Sequence, residues 1–176
     1  MTRTWTEAEL MVLPEDGFKR ELVDGEIVLS PAGFLHGRVI IALALKVGVF
    51  VEAGNLGSLA DSSTGVWMPS GNLRVPDLLF ISRDRLPDPH AEGFLRVVPD
   101  LVVEVLSPRD SGRAILDKVG EYLSAGVRLV WVIDPAARRA AEHRSLTIVR
   151  DVGETEDLRG HDVLPGFRCR LGDVLD

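Results

Sequence analysis

The sequence predicts one domain of the α/β (α+β) class, with a mixed β-sheet flanked by helices. Three observations carry that expectation. The chain has 176 residues, enough for one buried core, and its 45% hydrophobic and 27% charged residues are ordinary for a globular protein. Residues 101–106 (Leu-Val-Val-Glu-Val-Leu) and 127–133 (Val-Arg-Leu-Val-Trp-Val-Ile) are almost uninterrupted apolar runs, as in strands covered on both faces. Between them, from about Ser111 to Ala125, apolar residues recur at helical spacing before Gly126. Strand, helix and strand on short links require parallel strands.

The other elements follow in chain order. Thr6 and Glu9 have capping-box spacing and start a short helix that runs to about Leu13, where Pro14 stops it. Phe18–Val23 and Glu26–Leu29 flank Asp24-Gly25, the signature of a hairpin with a primed turn, which Ser30-Pro31 closes. From about Phe34 to Ala53, Val39, Leu43, Val47 and Phe50, flanked by Ile40 and Leu45, predict a long, mostly buried helix, ended by Gly54-Asn55-Leu56-Gly57. Strands are expected near 58–60, 65–68 and 73–81, with a turn at 69–72. Residues 82–96, with Pro87, Pro89 and Gly93, read as a surface loop. Asp134-Pro135 ends the second buried strand, and a weaker hairpin pairs 139–143 with 146–151. The tail, 153–176, reads as loop-rich with a short apolar finish.

Composition excludes several classes. One cysteine, Cys169, forms no internal disulfide and no cysteine-based zinc site. The first thirteen residues carry Glu7 and Glu9 and no apolar run, unlike a secretory signal. The longest apolar stretch, Val39–Val51, contains Lys46 and falls short of the roughly 20 residues that span a bilayer. The expectation is a cytoplasmic protein with no membrane partner. A net charge of −7 rules out bulk polyanion binding, so contact with nucleic acid needs a local basic patch and a metal ion to offset an acidic site. Lys19, Lys46 and Lys118 are the only lysines among 20 basic residues, a bias that fits genomic composition.

Four residues are candidates for chemistry. Glu104 interrupts an apolar strand, on the face of Val102 and Leu106, where an unpaired carboxylate costs several kcal/mol to desolvate. It is a structural ion pair or a functional acid. Asp77 follows Pro76 at the head of an apolar run, as an ordinary Pro-Asp turn or a second functional acid. Lys118 borders the stripe of Ile115, Val119 and Tyr122, either reaching for water or pointing back over the end of the Glu104 strand. Glu21 is an ion-pair partner or a further acid. His36, before the long helix, reads as a cap or surface residue, and His90, His143 and His161 show no metal-ligand spacing. Two carboxylates supply hard oxygen ligands for Mg²⁺ or Mn²⁺, and an ammonium beside them stabilises transition-state charge.

The run Arg20-Glu21-Leu22-Val23-Asp24-Gly25-Glu26, then Ser30-Pro31 and His36, resembles the opening of the Uma family of restriction-endonuclease-like proteins. Residues 75–81, 99–108, Lys118-x-x-x-Tyr122-x-x-x-Gly126-Val127 and 131–135 match its later blocks in order. The resemblance, from about residue 5 to the end, implies the PD-(D/E)XK nuclease superfamily and a restriction-endonuclease-like core over residues 1–176. It also implies Mg²⁺ or Mn²⁺ held by Asp77 and Glu104, with Glu21 assisting and DNA as substrate, in a homodimer. The superfamily lysine, two residues after the second acid, is Leu106 here, and Lys118 on the next helix is the residue that matches. The acid that often precedes that lysine by four residues is Ala114. Arg83, Arg85, Arg109 and Arg113 are candidate phosphate contacts by loop placement. The resulting expectation is a metal-dependent DNA endonuclease with Asp77, Glu104, Lys118 and Glu21 as its site. The alternatives are a catalytically inactive nuclease-fold module that binds or regulates, and a structural oligomer subunit that uses exposed apolar residues near the C-terminal tail.

Overall fold

The computed structural model describes residues 5–13, 19–30, 33–88, 90, 92–108 and 110–176; Pro14, Phe18, Pro31 and Pro89 lie outside them. The capping box forms, with the Thr6 hydroxyl accepting from the Glu9 amide and the Glu9 carboxylate from the Thr6 amide, and α1 spans Glu7–Met11. The hairpin is β1 (Lys19–Val23) and β2 (Glu26–Ser30) in antiparallel register. Its turn residues Asp24 and Gly25 take φ of 51° and 84°, the twist a primed turn requires.

The long helix, α2, spans Phe34–Ala53. Val39, Leu43, Val47 and Val51 are buried, each four residues after the last. The opposite side is open: Ile41, Leu45 and Val49 are 63%, 65% and 69% exposed. The expectation of a mostly buried helix therefore holds for one face only. By length and composition α2 is long and apolar enough to cross a membrane, because apolar residues extend the run beyond Val39–Val51. In this fold its inner face belongs to the core.

Four strands follow: β3 (Gly57–Asp61), β4 (Val66–Trp67), β5 (Leu73–Arg74) and β6 (Leu78–Ser82). The single strand expected over 73–81 is thus two. Pro76 has no N–H to give to a ladder, and the chain changes sheets around it. β5 lies in a four-stranded sheet of order β2-β1-β5-β4, whereas β6 enters the main sheet. The loop after β6 holds one 3₁₀ turn, Arg83–Arg85.

The predicted strand–helix–strand unit is β7 (Leu101–Val105), α3 (Gly112–Ala125) and β8 (Leu129–Asp134). β7 and β8 are parallel, from Leu101 beside Leu129 to Val105 beside Ile133. Ser111 caps α3 by accepting from the Ala114 amide, and Gly126 ends it at φ 105°. β9 (Arg139–His143) and β10 (Val149–Gly153) complete a six-stranded sheet of order β10-β9-β8-β7-β6-β3, antiparallel at every other pair. The expected hairpin is therefore real, with its second arm shifted towards Gly153.

The tail departs from expectation. It contains β11 (Asp157–Arg159), β12 (Arg168–Arg170) and α4 (Gly172–Leu175). Leu158, Leu164, Phe167, Leu171 and Val174 are buried in the main core, so the apolar tail serves packing and leaves no exposed apolar surface there for oligomer contacts. Exposed apolar residues lie elsewhere, on α2 (Phe34, Leu35, Ile41, Leu45, Val49) and singly or in pairs on α1, β2, α3 and the β9–β10 turn.

The sheet is covered on both sides. α2 and the tail pack on the face of Phe80, Leu101, Val103, Leu129 and Trp131. α3 packs on the other face through Val119 and Tyr122, against Leu79, Val102, Val130 and Val132. That double cover is why β7 and β8 read as continuous apolar runs. Leu22, Leu73 and Leu10 form a small third cluster that seats the hairpin sheet.

Candidate active site

Register brings the two acids together. Leu78 of β6 pairs with Val103 of β7 antiparallel, so Asp77 and Glu104 are the next residues along, side by side at one end of the pair. Glu104 shares the α3-covered face with Val102 and Leu106, as alternation predicts. β1 then contributes two side chains. Lys19 and Glu21 are two residues apart and project the same way, while Leu22, the next residue, points into the third cluster. α3 contributes Lys118 and Tyr122, one turn apart on its inner side.

Each acid has one oxygen held by protein donors and one that faces a shared point. Asp77 Oδ2 accepts from His36 Nε2 at 3.1 Å and from the Val105 amide at 2.8 Å. Its Oδ1 lies 2.7 Å from Lys19 Nζ. Glu104 Oε1 accepts from the Tyr122 hydroxyl at 2.7 Å and pairs with Lys118 Nζ at 2.9 Å. Its Oε2 lies 3.9 Å from the same Lys19 Nζ. Lys118 also pairs with Glu21 Oε1 at 2.9 Å. Both Glu21 oxygens are engaged, since Oε1 takes the Val75 amide at 2.8 Å and Oε2 pairs with Arg74 at 3.2 Å. Arg74 is held in turn by Glu121 of α3 at 2.5 Å, so an acid does come from this helix, three residues after Lys118.

All four sequence candidates thus meet in one cluster, and Lys118 points back over the Glu104 strand rather than out to water. Lys19, His36, Arg74 and Tyr122 join them, though none stood out as a site residue. His36 is correspondingly neither a cap nor a surface residue: it lies in the first turn of α2, whose N-cap is Gly33, it bonds Asp77, and its buried Nδ1 has no hydrogen-bond partner among the described residues. Arg83 and Arg85 sit beyond the far end of β6 from Asp77, and Arg85 is committed to Asp100 at 2.7 Å and the Val98 carbonyl at 2.8 Å. They are not phosphate contacts of this cluster. Arg113, in the first turn of α3, is exposed; Arg109 lies outside the described residues.

The surroundings push the two acids apart. Burial disfavours charge on Asp77, but the His36 hydrogen bond and the Lys19 ammonium outweigh it and hold this carboxyl well below the usual range. Glu104 is raised, chiefly by burial, with Asp77 and Glu21 adding to it against the two lysines. Burial also opposes charge on Glu21, yet Lys118 and the Val75 amide carry it below its ordinary value. Lys118 is raised despite burial because Glu104 and Glu21 flank it. Burial and then the Glu104 charge lift the Tyr122 hydroxyl well above its ordinary value, so it is a stable donor.

Two results follow. A group whose folded pKa is depressed stabilises the fold above its unfolded pKa, about 4 for Asp, and loses that contribution as the pH falls towards the folded value. The stability gap between the unchanged protein and Asp77→Asn, from urea unfolding, should be full above about pH 4 and shrink on further acidification. A gap constant down to about pH 2 contradicts the depressed pKa. Tyr122→Phe removes a buried hydrogen bond to a charged acceptor with little change of volume. It should cost about 1.5–3 kcal/mol by denaturant titration, and no loss would contradict the bond.

The donor set is of a kind that fits a divalent ion. Among the described residues no group of three or more His, Cys, Asp or Glu is arranged around a metal position. Mg²⁺, however, is commonly held by one or two carboxylates and otherwise by water and phosphate. Asp77 Oδ1 and Glu104 Oε2 converge on a position that already carries a positive charge, the Lys19 ammonium. Two presented carboxylate oxygens at one cationic point are what such an ion needs.

A mixed sheet between helices is the architecture of the restriction-endonuclease-like fold class, and two acids at one end of neighbouring strands with a lysine on the following helix make up its candidate site here. The chain is similar over 97% of its length, and 97% of the other chain, to the crystal structure of "a putative nuclease belonging to DUF820" from Anabaena variabilis, with a TM-score of 0.84 and 18% identity. The Uma2 family profile, described as "Putative restriction endonuclease", matches residues 7–172, and the chain belongs to that family. No curated protein matches it.

Proposed function

We propose that the protein is a Mg²⁺- or Mn²⁺-dependent DNA endonuclease that hydrolyses phosphodiester bonds at the Asp77–Glu104 cluster. The observation that carries this reading is the convergence of Asp77 Oδ1 and Glu104 Oε2 on one cationic position, with Lys118 Nζ 2.9 Å from Glu104. Family membership supports it. Asp77 and Glu104 hold the ion, which when bound supplies Lewis-acid polarisation of a phosphoryl oxygen. Lys118 orients the attacking water and offsets charge growing on the phosphoryl group. Glu21, with both oxygens occupied, is a positioning residue that fixes Lys118. The test is nicking or cutting of plasmid DNA by the purified protein with Mg²⁺ or Mn²⁺. Cutting that needs the ion supports the reading, and no cutting with either ion counts against it.

One observation favours a second reading, a nuclease-fold module that binds without turnover: Lys19 already neutralises the two acids. Calorimetric titration with Mn²⁺ separates the two. Uptake lost in Asp77→Asn favours the enzyme, while DNA binding without ion uptake favours the module.

The proposal extends to one domain in a cytoplasmic homodimer. The single buried thiol of Cys169 is compatible with a reducing compartment. Light scattering should find a dimer; a monomeric protein contradicts this assignment.

A further inference from the structure

We propose that Lys19 is the resident counter-cation of the Asp77–Glu104 pair and that a divalent ion must displace its ammonium to enter the site. The inference rests on the nuclease reading above and adds a residue to it. Asp77 Oδ2 is occupied by His36 and the Val105 amide, and Glu104 Oε1 by Tyr122 and Lys118. The two remaining oxygens face Lys19 Nζ at 2.7 and 3.9 Å. The position for the ion and the position of the ammonium are therefore the same place.

The two lysines are held differently. Lys118 makes two short contacts of equal length, both 2.9 Å, to acids from different elements, as a fixed brace does. Lys19 has one short and one long contact and enters from the hairpin, at the end of β1. The two side chains are nearly equally exposed, 14% for Lys19 and 13% for Lys118, so the difference lies in the contacts: Lys19 has a single short one to give up. Without Lys19 the two facing oxygens of these buried carboxylates would share no cation, which carries a cost in desolvation and mutual repulsion. Lys19 removes that cost in the ion-free protein. A lysine suits this role because it carries a compact charge on a flexible four-carbon stem. Once displaced, the ammonium stays tethered at the rim of the site.

The experiment uses the chain's own scarcity of lysine. Amine acetylation followed by mass spectrometry reads Lys19, Lys46 and Lys118 separately, with the more exposed Lys46 as internal reference. In the unchanged protein, Mg²⁺ should speed Lys19 labelling by about tenfold and leave Lys118 protected, because release from a buried pair exposes the amine. In parallel, Lys19→Met should bind Mn²⁺ at least about tenfold more tightly by calorimetry, since the ion no longer competes with the ammonium. Lys19 that stays protected while the ion is bound, or a Lys19→Met affinity equal to or below that of the unchanged protein, overturns the proposal and leaves the metal-dependent nuclease standing. If neither protein takes up an ion, the proposal and the metal reading fall together. Uptake by Lys19→Met alone supports displacement in its strongest form.

Discussion

Asp77→Ala and Glu104→Ala, each supplied with Mg²⁺, should leave DNA intact where the unchanged protein cuts it. Removing one fixed group that stabilises transition-state charge commonly costs about 10²–10³ in rate, and these acids are also the only carboxylates with an oxygen presented to the ion position among the described residues, so the loss should be at least that large. The two substitutions differ in what they leave behind. Without Asp77, Lys19 and the His36 N–H lose their acceptor. Without Glu104, Tyr122 loses its acceptor and Lys118 keeps only Glu21. Asp77→Asn and Glu104→Gln keep the shape and half of the acceptors, so a folded but inactive amide variant separates loss of chemistry from loss of structure. Cutting at the unchanged rate by both alanine variants would remove this cluster from consideration.

Lys118→Met should be the most damaging substitution for stability. Lys118 lies 2.9 Å from Glu104 and 2.9 Å from Glu21, both buried, so its loss takes a close cation from each and leaves Glu21 with Arg74, and Glu104 with the Tyr122 hydroxyl and a more distant Lys19. Breaking a buried pair in this way costs about 3–5 kcal/mol. Because Glu104 and Glu21 raise the Lys118 pKa, its stabilisation is present below the unfolded value of about 10.4 and is lost only as the pH climbs through the folded one. The gap between the unchanged and Lys118→Met proteins, from urea midpoints, should be flat from neutrality to about pH 10 and narrow above it. Glu21→Gln combined with Lys118→Met should recover part of the loss, because one of the stranded charges is gone. A loss under about 1 kcal/mol would place Lys118 among ordinary surface pairs.

Periodicity made the double-covered strands, the capped helices and the Asp-Gly hairpin legible, because each is a local rule. The break at Val75-Pro76-Asp77 was visible only as a proline, since Leu73-Arg74-Val75 before it and Leu78-Leu79-Phe80 after it both read as strand and nothing local says that they enter different sheets. The tail was hidden for another reason. β11 and β12 are three residues each and bury one side chain apiece, Leu158 and Cys169, so no alternation exists to be read.

The site divides in the same way. Glu104 and Asp77 announce themselves as acids in apolar runs, and register then places them side by side. Lys19 looks like any charged residue at a strand end. Its signal was compositional: the chain uses arginine for 17 of its 20 lysine and arginine positions, and two of the three lysines stand in this cluster. A narrow gap between carboxylates takes a compact ammonium more readily than a planar guanidinium, so the two lysines kept here mark the site in a chain that otherwise uses arginine. His36 could not be found locally, because its partner Asp77 is 41 residues away.

The most direct measurement is a crystal structure of the protein soaked in Mn²⁺, with anomalous diffraction to locate the ion. The account predicts a peak between Asp77 Oδ1 and Glu104 Oε2, with the Lys19 side chain moved off that position. A peak elsewhere, or the two acids still bridged by Lys19 with no ion beside them at saturating Mn²⁺, would contradict it.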